Sequence, residues 1–183
     1  ILTVSEFSRQ DICRLYKLDP AKITVAHNGA SPVFKPISPV DKHLIRDEFT
    51  GGEPYLVFVV ALHPRKNVLR LLQAFDQFKK QTGSSTKLLI VGENLWRSKK
   101  LNIPELASRN DVLFTGHQPL EKLAKIVAAA RFMAFVSYFE GFGIPLVEAM
   151  QAGCPVLSGN KTSLPEVAGN AAAFSFGDSA GNS

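Results

Sequence analysis

The chain predicts an α/β protein built on a doubly wound parallel sheet, and three observations carry that expectation. The stretch YLVFVVA at 55–61 is an unbroken apolar run, the pattern of a parallel strand buried on both faces. Residues 68–81 then place Leu69, Leu72, Phe75 and Phe78 at helical spacing before GSS at 83–85 breaks the chain. Strand-like and helix-like segments alternate from there on, as they do in consecutive βαβ units. Ligands of such sheets sit in a crevice at the carboxyl ends of the strands.

Strands are expected at 88–91, 112–114, 132–136 and 155–157, with a last one at 171–176, and helices at 104–108, 120–130 and 145–152. Asn67 stands where an N-cap of the 68–81 helix belongs. Pro145 suits the first position of its helix because its missing N–H is not needed there, and Gly153 suits the position past the end. Pro165 marks another helix start, and Glu166 in its first turn favours the dipole of that helix. Ahead of the sheet, residues 1–4 read as a short strand and 22–26 as another. Between them Ser8 is expected to cap a helix running to about Tyr16, with Asp11 in its first turn. Asn28 and Gly29 make a turn.

At 183 residues the chain is long enough for a full core, since domains of this size bury roughly 70% of the surface the unfolded chain exposes. The net charge of +5 suits an anionic ligand such as a nucleotide diphosphate, and equally an attraction to nucleic acid or anionic lipid. Only RSKK at 97–100 is a dense charge cluster, which reads as a solvated loop. Two cysteines, Cys13 and Cys154, form neither a disulfide framework nor a metal motif, so the default setting is reducing and cytoplasmic. His27, His43, His63 and His117 show no ligand spacing, and no metal is expected. Neither a membrane-spanning apolar run nor a signal peptide occurs, although the membrane surface stays open as a place of contact. Neither the phosphate-loop pattern nor the dinucleotide glycine fingerprint is present.

The most informative stretch is EGFGIPLVE at 140–148, two carboxylates at either end of a glycine-bearing turn that leads into a helix. Free amides at that helix start, Ile144 and Leu146 among them, favour a phosphate. Gly141 and Gly143 allow close approach of backbone to a ligand, and Phe142 between them reads either as a neighbour of the ligand or as a core plug. One carboxylate then suits sugar hydroxyls and the other a ribose diol. Lys66 follows the 55–61 strand as a candidate phosphate contact, with Arg65 second. Gly92, Gly116, Lys66 and Glu140 all follow strand ends, which a shared site requires.

These blocks resemble the GT4 family of retaining GT-B glycosyltransferases, the glycosyl transferases group 1. The Glu-x7-Glu stretch at 140–148 looks like the family signature. SEFSR at 5–9, Asn28-Gly29, PRKN at 64–67, IVG at 90–92, FTG at 114–116, AGCPV at 152–156 and LPEVAG at 164–169 follow in the family's order. The resemblance implies the Rossmann-like C-terminal half of a GT-B fold. Residues 1–30 are then a remnant of the N-terminal domain with the interdomain linker, and 31–183 the nucleotide-sugar domain, truncated near its end.

By the same resemblance Glu148 holds the ribose diol and Glu140 the sugar hydroxyls, with the amides of Gly141, Phe142 and Gly143 beside them. Lys66 and Arg65 hold the diphosphate, while Gly92 and Gln118 lie along the donor, Gln118 near its base. Leu62 departs from a basic residue that some relatives carry, which shifts weight to Lys66 and Arg65. The implied reaction is retaining hexosyl transfer from a UDP- or GDP-linked sugar to an acceptor glycan or lipid-linked sugar, without a metal or other cofactor. The isolated chain is expected to be inactive, because the acceptor side belongs to the other domain. An epimerase of the same fold and a non-catalytic nucleotide-sensing module are the alternatives. Residues 1–4 are expected to lie off the main sheet, packed irregularly or paired with a second copy.

Overall fold

The computed structural model describes residues 1–60, 63–92 and 106–175. Leu62, the 97–100 cluster, residues 104–105 of the expected helix, Phe176 and the 177–183 tail lie outside them. Six strands form the main sheet: β3 (Tyr55–Val60), β4 (Lys87–Gly92), β5 (Val112–Gly116), β6 (Phe132–Phe135), β7 (Val156–Gly159) and β8 (Ala172–Ser175). They lie in the order β5-β4-β3-β6-β7-β8, and every pairing is parallel. Counted from its first strand the sheet runs 3-2-1-4-5-6, which makes it the doubly wound sheet expected. Its growth reverses between β3 and β6. A crevice opens there because the two chain crossovers leave in opposite directions.

The β3 strand is buried on both faces, with Tyr55 and Val57 in one core and Leu56 and Phe58 in the other. On the first face α2 (Pro39–Thr50), α4 (Leu120–Ala129), α5 (Ile144–Gln151) and α6 (Leu164–Ala168) contribute to the larger cluster. On the second face α3 (Val68–Thr82) buries Val68, Leu71, Leu72 and Phe75, a stripe one step round from the expected one, since Leu69 and Phe78 are only partly covered. The α2 helix escapes the sequence reading. Its signals are Ser38 at the N-cap, accepting from the Asp41 amide at 3.1 Å, Pro39 in the first turn, and Gly51 at φ 63° beyond the last turn.

Three local expectations are corrected. Residues 106–108 are not helical but lead into a single 3-10 turn at Arg109–Asp111. The first helix, α1 (Glu6–Tyr16), is capped by Ser5, whose hydroxyl accepts from the Ser8 amide, so Ser8 lies inside the helix. The short strand β1 (Leu2–Thr3) does lie off the main sheet, but it pairs in parallel with β2 (Thr24–Val25) of the same chain.

Candidate active site

Two loops meet at the carboxyl ends of β3 and β6. After β3, Pro64–Lys66 makes one turn of 3-10 helix and ends at Asn67 in the left-handed region, φ 59°. Asn67 holds the N-cap position of α3, as expected, but its side chain makes no capping hydrogen bond. Its Nδ2 instead donates to Val136 O at 3.1 Å, and the Tyr138 amide donates to Arg65 O at 2.7 Å. These cross-links bring the basic pair onto Glu140: Lys66 Nζ stands 2.6 Å from Oε1 and Arg65 Nη1 2.9 Å from Oε2. Arg65 also donates to Phe139 O at 3.1 Å, and the Lys66 ammonium lies 5.3 Å over the Phe135 ring.

The sequence assigned these charges to different parts of a ligand, whereas here they neutralise one another. Lys66 and Glu140 are both buried, at 9% and 7% exposure, so the Lys66 ammonium is held on Glu140 and not extended into solvent. Burial pushes the Glu140 carboxyl up, but the Lys66 hydrogen bond and the neighbouring Arg65 charge outweigh it and hold Glu140 below the ordinary glutamate range. The buried Ser137 hydroxyl, outside hydrogen-bonding geometry, adds to that from close by.

Glu148 has the opposite surroundings. It is half-buried on α5, its carboxylate has no partner among the described residues, and burial pushes its pKa up. The helix begins at Ile144, one residue before Pro145. Ile144 is 43% exposed, but the Leu146 side chain is fully buried and its amide donates to Gly143 O at 2.9 Å. Leu146 is therefore committed within the helix, a correction of its expected part in phosphate binding. Pro145 has no N–H, which leaves Ile144 as the exposed start.

Every carbonyl of the 140–142 loop is held by a serine. Ser163 Oγ lies 2.9 Å from Glu140 O and 3.0 Å from Phe142 O and shares its one proton between them. Ser5 and Ser8 hydroxyls donate to Gly141 O at 2.6 and 3.1 Å. Among the described residues the amides of Gly141, Phe142 and Gly143 have no acceptor. Gly143 has φ 105°, and a Cβ there meets Leu164 Cδ2 at 3.1 Å, so glycine is required. Phe142 is buried and its ring lies 5.7 Å from that of His27, which makes the ring a plug and leaves only its backbone for a ligand.

The other candidates stand on the same sheet edge. Gly92 and Gly116 end β4 and β5 at φ 133° and 70°. Gln118 Nε2 donates to Thr115 O at 2.9 Å and so braces its own turn. Glu166 lies in the first turn of α6, but its carboxylate serves a different helix, accepting from the Glu6 and Phe7 amides of α1 at 2.7 and 3.1 Å and meeting His27 Nε2 at 2.8 Å. Sequence reading missed Ser5, Ser8 and Ser163 as site residues. Ser163 had a usable signal, because it directly precedes the Leu164-Pro165 helix start.

The model of the glycosyl transferases group 1 family matches residues 41–179. O-antigen chain mannosyltransferase B of Escherichia coli is 35% identical over 174 residues, 93% of this chain and 46% of that protein. D-inositol 3-phosphate glycosyltransferase of Nocardia farcinica is 32% identical over 167 residues, 86% of this chain and 36% of that one. Among solved structures, WaaG, a glycosyltransferase involved in lipopolysaccharide biosynthesis, fits with a TM-score of 0.80 at 23% identity, over 94% of this chain and 48% of WaaG. Anabaena HepE in complex with UDP-glucose fits with a TM-score of 0.74 at 23% identity, over 88% of this chain and 45% of HepE. The chain thus spans less than half the length of each. With the family model matched over most of the chain and the sheet order that the fold requires, the chain belongs to the glycosyl transferases group 1 family and carries the Rossmann-like α/β half of its GT-B fold.

Proposed function

We propose that this chain is the donor-binding half of a retaining glycosyltransferase that moves a hexosyl group from a nucleotide-diphospho-sugar to an acceptor. The observation that carries the reading is the Lys66–Arg65–Glu140 cluster at the switch point of the sheet, beside loop amides without acceptors. Ligands of doubly wound sheets bind there. Support for a nucleotide sugar comes from the mannosyltransferase relative and from UDP-glucose in HepE. An acceptor glycan or lipid-linked sugar, met by the other half of the protein, fits the O-antigen and lipopolysaccharide roles in those relatives' names.

In this reading a diphosphate competes with Glu140 for Lys66 and Arg65. As the cations turn to phosphate, the Glu140 oxygens become free to accept hydrogen bonds from sugar hydroxyls. Diphosphate and sugar recognition are thereby coupled. Glu148, without a partner among the described residues, accepts from the ribose diol. In transfer the bond from the anomeric carbon to the phosphate oxygen breaks and the acceptor oxygen bonds that carbon from the same face. The acceptor proton passes to the departing diphosphate, whose charge the two cations stabilise. The acceptor must be held by the other half, so this chain alone transfers no sugar.

Calorimetric titration of this chain with UDP, GDP, ADP and their sugars tests the proposal. One diphosphate should bind, and its affinity should fall in Lys66→Ala. Equal indifference to all six ligands, with the fold intact by circular dichroism, overturns it.

A further inference from the structure

We infer that Ser5, Ser8 and Ser163 are positioning residues that hold the 140–143 loop in the shape a sugar nucleotide binds, with Glu166 fixing α1 in place, an inference resting on the donor-site reading. The peptide unit is planar and trans, so a carbonyl and the amide that follows it point in opposite directions as one rigid body. The chain contains no cis peptide among its described residues. Anchoring Glu140 O therefore aims the Gly141 amide, anchoring Gly141 O aims that of Phe142, and anchoring Phe142 O aims that of Gly143. The three carbonyls that serines hold and the three amides that lack acceptors belong to the same three peptide units.

A loop with two glycines in four residues has too much backbone freedom to set those directions locally. The anchors come from elsewhere in the chain. Ser5 and Ser163 are fully buried, so water does not compete for their hydroxyls. Ser163 spans two carbonyls on one side of the loop, while Ser5 and Ser8 converge on the third from α1. Glu166 binds the unsatisfied amides at the start of α1, where the helix dipole favours a carboxylate. Ring contacts brace the same loop: Phe7 meets Phe139 edge-on at 5.7 Å and His27 lies against Phe142. Residues 5–8, 27, 163 and 166 thus grip the loop from both sides without a role in the chemistry.

The test is Ser163→Ala and Ser5→Ala in the full chain, read by backbone ¹⁵N order parameters at 141–143 and by titration with UDP, UDP-glucose, GDP and GDP-mannose. In the parent the loop amides should show the rigid value of about 0.85, and in Ser163→Ala they should fall below about 0.6. Affinity for the nucleotide diphosphate, which rests on Lys66, Arg65 and Glu148, should stay within twofold. The ratio of sugar-nucleotide to diphosphate affinity should drop at least threefold, more in Ser163→Ala than in Ser5→Ala. If Ser163→Ala does not fold, Ser8→Ala and Glu166→Gln take its place with the same readouts and smaller changes. Unchanged order parameters overturn the inference. Lowered order parameters with an unchanged affinity ratio also overturn it, since the serines then serve only the fold. If the parent binds none of the four ligands, the donor-site reading fails instead, and the order parameters alone still decide whether the serines hold the loop.

Discussion

Glu140 and Glu148 end the same nine-residue stretch, yet the fold treats them in opposite ways. Glu140 is buried against two cations and held ionised, while Glu148 is half-buried with no partner among the described residues and is pushed toward the neutral form. The difference teaches that identical side chains in one motif do different work. Glu140 is part of the folded framework, whereas Glu148 is a carboxylate with no partner among the described residues, which on the proposed reading accepts from the ribose diol. On that reading, leaving Glu148 unmet trades stability for function.

The largest break in this comparison is Lys66→Ala. It leaves the Glu140 carboxylate buried with only the more exposed Arg65, and removal of one partner of a buried pair costs about 3 kcal/mol or more. Urea denaturation should show that loss, and a partial recovery when Glu140→Gln is added, because the uncompensated charge is then gone. A drop below about 1 kcal/mol would mean that the pair contributes nothing to the framework.

Glu148→Gln should act in the opposite sense on the two properties. Nucleotide diphosphate affinity should fall about ten- to a hundredfold, the effect of a charge-assisted hydrogen bond of roughly 1.5 to 3 kcal/mol. The melting temperature at neutral pH should rise slightly, by the equivalent of roughly 0.5 kcal/mol, since no buried charge remains to be desolvated. Unchanged UDP and GDP binding by calorimetry, with an intact fold, removes Glu148 from the site.

Acid titration sharpens the contrast further. Glu148 has a raised folded pKa, so it takes up its proton first as pH falls, and nucleotide binding should weaken before the fold does. Glu140 has a lowered folded pKa, so its contribution to stability is present above the ordinary glutamate value and is lost only as pH falls through the lower one. Asp76 reinforces that acid limit. The Lys80 ammonium and the Ser108 amide hold it at about 2, so its share is lost between the ordinary aspartate value and that point. Carboxyl-detected NMR should find Glu148 titrating above Glu140, and the reverse order sinks the comparison.

Arg65→Ala should have a far smaller effect on stability than Lys66→Ala. Its side chain is 40% exposed and screened by water, so its ion pair with Glu140 is worth at most about 1 kcal/mol. On the proposed reading its larger consequence should be a loss of diphosphate affinity, measured by calorimetry.

Much of the fold was legible because its signals are local. The apolar run of β3, the helical spacing of α3, and the proline and glycine that flank α5 each report the conformation of their own segment, and the family motifs succeed one another in order along the chain. The α2 helix shows the limit of that reading, since its apolar face is weak even though Ser38, Pro39 and Gly51 mark its ends. What the sequence by itself determined is therefore the class of the fold, the family, and the set of chemical groups available at the strand ends. Tertiary structure alone decided which of those groups meet. Lys66 reaches Glu140 across 74 positions, Ser5 reaches Gly141 across 136, and Glu166 serves the start of α1 across 160 instead of its own helix. Periodicity and capping are properties of neighbours along the chain, whereas these contacts follow from the order in which the strands assemble, and no local pattern encodes that order.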